Sequence, residues 1–416
     1  MERLPGFRDF YPEPIPHPDV WSADARQYIF HKWRRMAQRY GFREYDGPPL
    51  EPLELFTTKS GEEIVKQLFD FVDKGERHVA MRPEMTPTLA RMVAAHERNY
   101  KKPIKWFAIP QLFRYEKQQK GRLREHFQFN ADLMGETDPA ADAELIALLI
   151  DTLRSFGLTA EDFVVRLSSR NAWQDYYRTR STKTELPADG EYQFFQIIDK
   201  LERTAPEESR KKLDELGFSY DDVTAFIEGG APTTELKAIL DNLAARGMSD
   251  FVKVDYHVIR GLAYYTGVVF EAFDRKGEFR AIAGGGRYDN LIKLISAGKV
   301  NLPALGFGMG DVVLLELLKA RNLLPKFDGG IDVFVMVEDE SLRTDALKLI
   351  QILRSAGLGV EYSLTPTKSD KQFKRAQELK AAFTAKLDND QYVRLRNLST
   401  RKEVVTGFAD VVNHIR

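Results

Sequence analysis

Two strand-forming runs, 106–115 and 126–134, stand on either side of a polar stretch at 117–121. Such a pair predicts a long antiparallel hairpin. A hairpin of that length needs further strands on its flanks before it can bury a face. Strand character returns at 251–292, in VVFEAF (268–273) and FRAIAGGG (279–286), and supplies them. The intervening pattern is helical. Ile29, Trp33, Met36, Ala37 and Tyr40 fall at helical spacing within 22–40, and Gly41 supplies the stop. Residues 89–96 read as a helix after the Pro87 start signal, and 139–157 as another. Residues 195–250 are rich in Glu, Lys, Leu and Ala, broken by Pro206 and Pro232, and read as a small helical insertion.

A boundary falls at PKFDGG (325–330). Beyond it, strand (331–337), helix (342–356), strand (359–364) and helix (368–380) alternate, followed by short strands and a last helix. That alternation argues for a small α/β domain with a partly parallel sheet. The domains are therefore expected at 1–327, carrying the insertion, and at 328–416.

The 416 residues are 43% hydrophobic and 30% charged, as in a soluble globular protein, and the formal net charge is −1. No global positive field argues for nucleic acid, so any RNA contact must use local basic patches. The absence of cysteine excludes disulfides, thiolate metal sites and a cysteine nucleophile. The opening MERLPGFRDF has no apolar core of a signal peptide, and no aliphatic run is long enough to span a bilayer. A cytoplasmic location is the expectation.

Three segments carry chemistry. In FRYEKQQKGRLREHFQ (113–128), Arg114 ends a strand, and Lys117, Lys120, Arg122 and Arg124 crowd one hairpin, offset only by Glu116 and Glu125. A hairpin so charged repels itself unless it is solvated or faces a polyanion. Arginine suits phosphate because its planar fork makes paired hydrogen bonds and never deprotonates. On charge alone, a solvated basic hairpin is the commoner outcome. MRPEMTPTLAR (81–91) reads on its own as a strand and a proline-initiated helix with an incidental Glu84. RGLAYYTGVVFE (260–271) reads as strand core.

Taken together, these segments resemble histidyl-tRNA synthetases, a class II aminoacyl-tRNA synthetase family. The hairpin resembles motif 2 of that class. RPE-x-T at 82–86, RGLAYYTG at 260–267 and AGGGRYD at 283–289 resemble family-specific signatures. PGFRDFYP (5–12) resembles the N-terminal segment, and the helix and strand ending at Pro48 resemble motif 1, the dimer interface. The resemblance implies an α+β catalytic domain with an antiparallel sheet flanked by helices, plus the small C-terminal α/β domain as an anticodon-binding unit. It implies a homodimer that activates histidine with ATP, with Mg2+ on the phosphates, and transfers it to the 3′ end of tRNA(His). Arg114 and Arg260 would hold the α-phosphate from two sides. Glu116 and Arg122 would serve ATP, with Glu116 on the adenine side, and the 117–122 loop would meet the tRNA acceptor end. Glu84, Thr86 and Gln128 would take the α-ammonium of histidine. Asp132 and Tyr265 would read the imidazole, beside Tyr264. A neutral imidazole has one donor and one acceptor nitrogen, which a carboxylate and a phenol complement. Gly284, Gly285 and Gly286 would let backbone approach the ligand.

The chain departs from the family in places. Val313 stands where motif 3 carries an arginine for the γ-phosphate, and Asp311 adds a negative charge that disfavours a triphosphate. Asp132 replaces a glutamate, Ala263 replaces an aspartate, and AAFTAKLDNDQY (381–392) is expected to lack the family's strand-and-turn segment. These features keep a second reading open: a histidine-sensing regulatory subunit resembling the synthetase-like partner of ATP phosphoribosyltransferase, without tRNA charging.

Overall fold

The computed structural model describes residues 2–57, 65–116, 123–183, 187, 189–259, 264–327 and 329–415. The chain divides into two compact units. One comprises Met1–Tyr11 and Pro16–Leu324, and the other Pro12–Ile15 and Pro325–Arg416.

The larger unit is built on a nine-stranded sheet among the described residues. Its strands are β1 (Arg43–Glu44), β2 (Ile104–Ala108), β3 (Gln111–Phe113), β4 (Glu125–Met134), β5 (Phe163–Ser169), β6 (Val252–Val254), β7 (Val268–Asp274), β8 (Ala283–Arg287) and β9 (Ala304–Gly310). They lie in the order β6-β5-β7-β8-β9-β4-β2-β1, with β3 also paired to β4. All pairings are antiparallel except β5–β6 and β1–β2, so the sheet is mixed only at its edges. The expected continuous strand at 106–115 is interrupted at Ile109–Pro110. Proline has no N–H to give to the ladder, so the strand breaks and resumes. Both halves still pair with β4, through Ala108 opposite Asn130 and Gln111 opposite Phe127.

Helix α1 (Ala23–Arg39) starts at Ser22, whose hydroxyl accepts from Ala25 N at 3.1 Å. Its apolar stripe is spent inside its own chain, where Trp33, fully buried, stacks on Phe129 of β4 at 5.7 Å. Helix α2 (Thr86–His96) carries Pro87 in its first turn. Helix α3 (Pro139–Ser155) is capped by Asp138 and packs against α1, β4 and the helix Thr234–Ala245. It buries Leu145 to Ile150 completely, which explains why that stretch is apolar on all sides. The residues expected to form a helical insertion fold as Gly190–Lys200, Pro206–Glu215, Tyr220–Gly229 and Thr234–Ala245. An aromatic cluster ties them to the helix Arg170–Arg180, with Trp173 against Phe194 and Phe226. FRAIAGGG becomes strand only from Ala283, and 279–282 form a loop.

The smaller unit has a five-stranded sheet from β10 (Val333–Met336), β11 (Val360–Tyr362), β12 (Phe383–Leu387), β13 (Tyr392–Asn397) and β14 (Glu403–Gly407), in the order β11-β10-β12-β13-β14. The pairings of β10 are parallel and the rest antiparallel. Helices α5 (Arg343–Ser355) and α6 (Ser369–Glu378) supply the crossovers. The segment 381–392 forms β12 and the turn into β13. The strand and turn expected to be missing there are present, as Phe383–Leu387 and the turn that leads to Tyr392. The expected last helix is a single 3-10 turn, Val411–His414.

Candidate active site

Register alone explains where the cavity lies. Side chains alternate across a strand, so paired positions on neighbouring strands share a face. Gln128, Asn130 and Asp132 of β4 pair with Gly310, Gly308 and Gly306 of β9. Gly308 pairs with Gly284 of β8, Gly284 with Glu271 of β7, and Glu271 with Arg166 of β5. The centre of this face is a patch of glycines, so the polar side chains on either side lie over bare backbone. A Cβ at Gly306 would stand 1.9 Å from Asp132 Oδ1, and one at Gly308 would stand 2.6 Å from Gln128 Cδ. The result is a cavity of about 700 Å³.

Its wall brings together Glu84, Thr86, Arg114, Glu116, Gln128, Asp132, Tyr264, Tyr265 and Gly284. Arg260 and Arg122 lie outside the described residues, as do Lys117 and Lys120. Gly285 and Gly286 do not appear in the wall, and packing within the sheet accounts for them. A Cβ at Gly285 would meet Gly306 O at 2.2 Å, and one at Gly286 would meet Val268 O at 2.6 Å.

At the inner end of the face, Asp132 is 4% exposed and accepts a hydrogen bond from the Tyr288 hydroxyl at 2.6 Å. Burial pushes its carboxyl up to about 7, against the Tyr288 hydrogen bond, which lowers it. Tyr288 is the tyrosine of AGGGRYD, and the sequence reading gave it no role of its own. The Tyr264 hydroxyl donates to Glu84 Oε2 at 2.7 Å. Burial first, and Glu84 second, push the Tyr264 phenol well above its usual value. It therefore stays a donor and orients the Glu84 carboxylate for a cation.

At the other end lies the motif 2 hairpin. Arg114 Nε donates to Pro83 O at 2.9 Å, and Arg114 Nη1 stands 4.0 Å from Glu116 Oε1. The guanidinium is a quarter exposed and is held by the segment that carries Glu84. Glu125 does not offset the basic hairpin at its surface. Its side chain is 1% exposed and accepts from Arg8 Nε at 2.6 Å. Arg8 Nη1 donates to Asp311 Oδ2 at 2.8 Å, and Phe127 N donates to Asp311 Oδ1 at 3.0 Å. Asp311, whose negative charge was expected to oppose a triphosphate, is thus paired with a buried arginine from the N-terminal segment, which it shares with Glu125. Sequence reasoning matched PGFRDFYP to a family segment but could not assign Arg8 a partner more than a hundred residues away.

Among the described residues, no group of three His, Asp or Glu side chains could hold a metal ion by itself. The wall also includes His126, Asn130, Glu271 and Arg280, none of which the sequence reading singled out.

Comparisons with known proteins converge on one family. The sequence profile of histidyl-tRNA synthetase matches residues 19–311, and that of an anticodon-binding domain matches 332–416. The chain is 45% identical to a histidine–tRNA ligase of Opitutus terrae, over 97% of this chain and 95% of that one. It is 38% identical to the chloroplastic/mitochondrial histidine–tRNA ligase of Arabidopsis thaliana, over 90% and 78% respectively. The fold matches the crystal structure of histidyl-tRNA synthetase from Nostoc sp. with a TM-score of 0.75 at 21% identity, covering 94% of this chain and 95% of that one. A structure from Bacillus halodurans, described as an ATP phosphoribosyltransferase regulatory subunit/histidyl-tRNA synthetase, matches with a TM-score of 0.72 at 21% identity, covering 90% and 96%. At that identity the likeness concerns the fold alone.

Proposed function

This chain belongs to the histidyl-tRNA synthetase family and is a histidine–tRNA ligase, and from that premise we propose how its residues divide the reaction along the cavity. Histidine lies at the Asp132 end. Asp132 accepts from one imidazole nitrogen, Tyr265 serves the other, and Glu84, Thr86 and Gln128 receive the α-ammonium. A buried ammonium needs a carboxylate and neutral acceptors, and Glu84 is already oriented by Tyr264. ATP lies at the Arg114 end, with Glu116 on the adenine side.

The reaction needs no protein nucleophile. An oxygen of the histidine carboxylate attacks the α-phosphorus, and the bond to the β-phosphate oxygen breaks. Histidyl-adenylate and pyrophosphate result. A 3′-terminal hydroxyl of tRNA(His) then attacks the histidyl carbonyl, and AMP leaves. Positioning, and neutralisation of charge at the α-phosphorus by Arg114, with Arg260 opposite, supply the catalysis. Magnesium needs only one or two carboxylates besides substrate phosphates, and the Glu271 carboxylate on the cavity wall is of the type that would serve. When bound there it would neutralise phosphate charge.

The smaller unit is the proposed anticodon-binding domain. A homodimer is the proposed assembly, supported by Leu50, Phe71 and Val72, which are exposed on the three-stranded sheet formed by Leu50–Pro52, Phe69–Val72 and His78–Met81. The α1 stripe is covered within the protomer and offers no such surface. A cytoplasmic location is proposed as well, and no helix among the described residues is long and apolar enough to cross a membrane.

The observation that carries this reading is that Asp132, Glu84 and Arg114, distant in sequence, line one cavity. Histidine-dependent exchange of pyrophosphate into ATP, followed by charging of tRNA(His), tests it. Absence of exchange at saturating ligands, with histidine still raising the melting temperature, would instead mark a histidine sensor.

A further inference from the structure

A triphosphate carries several negative charges into the cavity, and the described residues offer few cations to meet them. Three arginines line the wall among the described residues: Arg114, Arg166 and Arg280. Arg166 lies farther across the sheet, on β5, where it stands 3.4 Å from Asp255 and 3.6 Å from Glu202, with its guanidinium over the Phe273 ring. The first turn of α4 (Asp311–Ala320) contributes no cation. Val312 and Val313 line the cavity there, and Asp311 shares Arg8 with Glu125.

Arg280 stands next to that turn. Strands β8 and β9 are antiparallel, with Ala283 opposite Met309. The loop that leads into β8 therefore lies beside the turn that leads out of β9 into α4. Arg280 is three residues before Ala283, exposed, and in the cavity wall. Arg114 reaches the same end of the sheet from the opposite side. It follows β3, which pairs with the first residues of β4, and β4 pairs with β9. The two arginines thus flank the end of β9, separated by three strand spacings, or roughly 14 Å. The histidine end lies deeper. Gly306, opposite Asp132, is four residues before Gly310, about 13 Å along the strand. A ligand whose amino-acid part reaches Asp132 has its leaving phosphates between Arg114 and Arg280.

We propose that Arg280 binds the β- and γ-phosphates of ATP at the turn where Val312 and Val313 offer no charge, holding the leaving pyrophosphate opposite Arg114. A planar, permanently charged fork suits a phosphate chain. The inference rests on reading this cavity as the ATP site of the ligase.

The test compares the parent with Arg280→Ala and Arg280→Lys in histidine-dependent pyrophosphate exchange. Arg280→Ala should raise the KM for ATP tenfold or more and leave the KM for histidine within twofold. Arg280→Lys should recover part of the loss. Inhibition by AMP, which has no β- or γ-phosphate, should be unchanged in both variants. Histidine should raise the melting temperature of both as it does for the parent, which shows that the fold survives. An unchanged KM for ATP, or an equal weakening of AMP, would overturn the assignment while leaving the ligase reading intact. A parent that exchanges no pyrophosphate would overturn the reading and the assignment with it.

Discussion

The Tyr288 hydroxyl donates to Asp132 Oδ1 across 2.6 Å, joining the residue that follows β8 to the inner end of β4 through a contact buried from solvent on both sides. Tyr288 is itself fixed by its backbone, whose N–H donates to Ala304 O at 2.7 Å. The bond occupies one lone pair of the carboxylate, and Asp132 remains part of the cavity wall. Tyr288 is thus a positioning residue for the proposed imidazole site.

Tyr288→Phe should weaken histidine binding and also lower stability, since the bond is made in the protein without ligand. A buried acceptor that loses its donor costs about 1–3 kcal/mol, and the Asp132 carboxyl would rise further without the hydrogen bond that lowers it. A several-fold to hundredfold loss by calorimetry is expected at neutral pH. Tyr265→Phe, on the cavity wall, should cost a similar amount through a different nitrogen. Unchanged affinity in both variants would place the imidazole elsewhere.

The Asp132 carboxyl, raised to about 7 by burial, predicts a pH dependence whose sign can be worked out. In the unfolded chain an aspartate titrates near about 3.9. Between these values the folded protein keeps a proton that the unfolded chain has lost. Stability therefore falls as pH rises from about 4 to about 7, by on the order of 1 kcal/mol per pH unit. Asp132→Asn should flatten that slope in denaturant titrations at pH 5 and pH 8. Histidine affinity should move the other way, since the ionised carboxylate is the better acceptor. It should rise through pH 7 in the parent, and the variant should keep only the titration of the substrate's own imidazole. Parallel profiles for parent and variant would remove Asp132 from both effects.

Much of this was legible in sequence because it is local. The hairpin, the proline-started helix α2 and α3 follow from period, caps and breakers within a few residues. Asp132 and Tyr265 were found through segments that resemble a family. Tyr288 and Arg8 were not, because each acts through a partner distant in sequence, and no spacing within a strand announces a hydrogen bond between strands. Asp311 shows the converse. Its charge was plain in the sequence, but its effect depended on Arg8, which only the fold brings within 2.8 Å. The polar segment 381–392 was misjudged because its strand is held by pairing with neighbours on both sides, not by its own propensity.

Arg8 makes the third prediction. Its guanidinium is 1% exposed and shared between Glu125 and Asp311. Removing it leaves two buried carboxylates facing each other with no cation, a change that costs about 3–5 kcal/mol. Arg8→Met should lower the urea midpoint strongly at pH 7. The double variant Arg8→Met with Asp311→Asn should recover part of the loss. Equal midpoints for parent and single variant would show that the network contributes nothing to stability.

Gly306→Ala tests whether the floor of the cavity is glycine for the sake of the ligand site. Gly306 lies opposite Asp132 in the pairing of β9 with β4, and a methyl there would stand 1.9 Å from Asp132 Oδ1 and 3.1 Å from Ala131 O. Two atoms cannot approach so closely, so the carboxylate must leave its position, and it cannot do so while accepting from Tyr288 at 2.6 Å. The backbone of Gly306 has an ordinary strand conformation, so the substitution adds no backbone strain of its own. The expected outcome is a folded protein whose affinity for histidine falls at least tenfold, with the KM for ATP changed much less. Gly308→Ala is the comparison. Its methyl would meet the flexible end of the Gln128 side chain, the proposed neutral acceptor for the α-ammonium, so the loss should be smaller than at Gly306 but not absent. Equal and small effects at both positions would mean that Asp132 can leave its position without consequence, and that it does not read the imidazole.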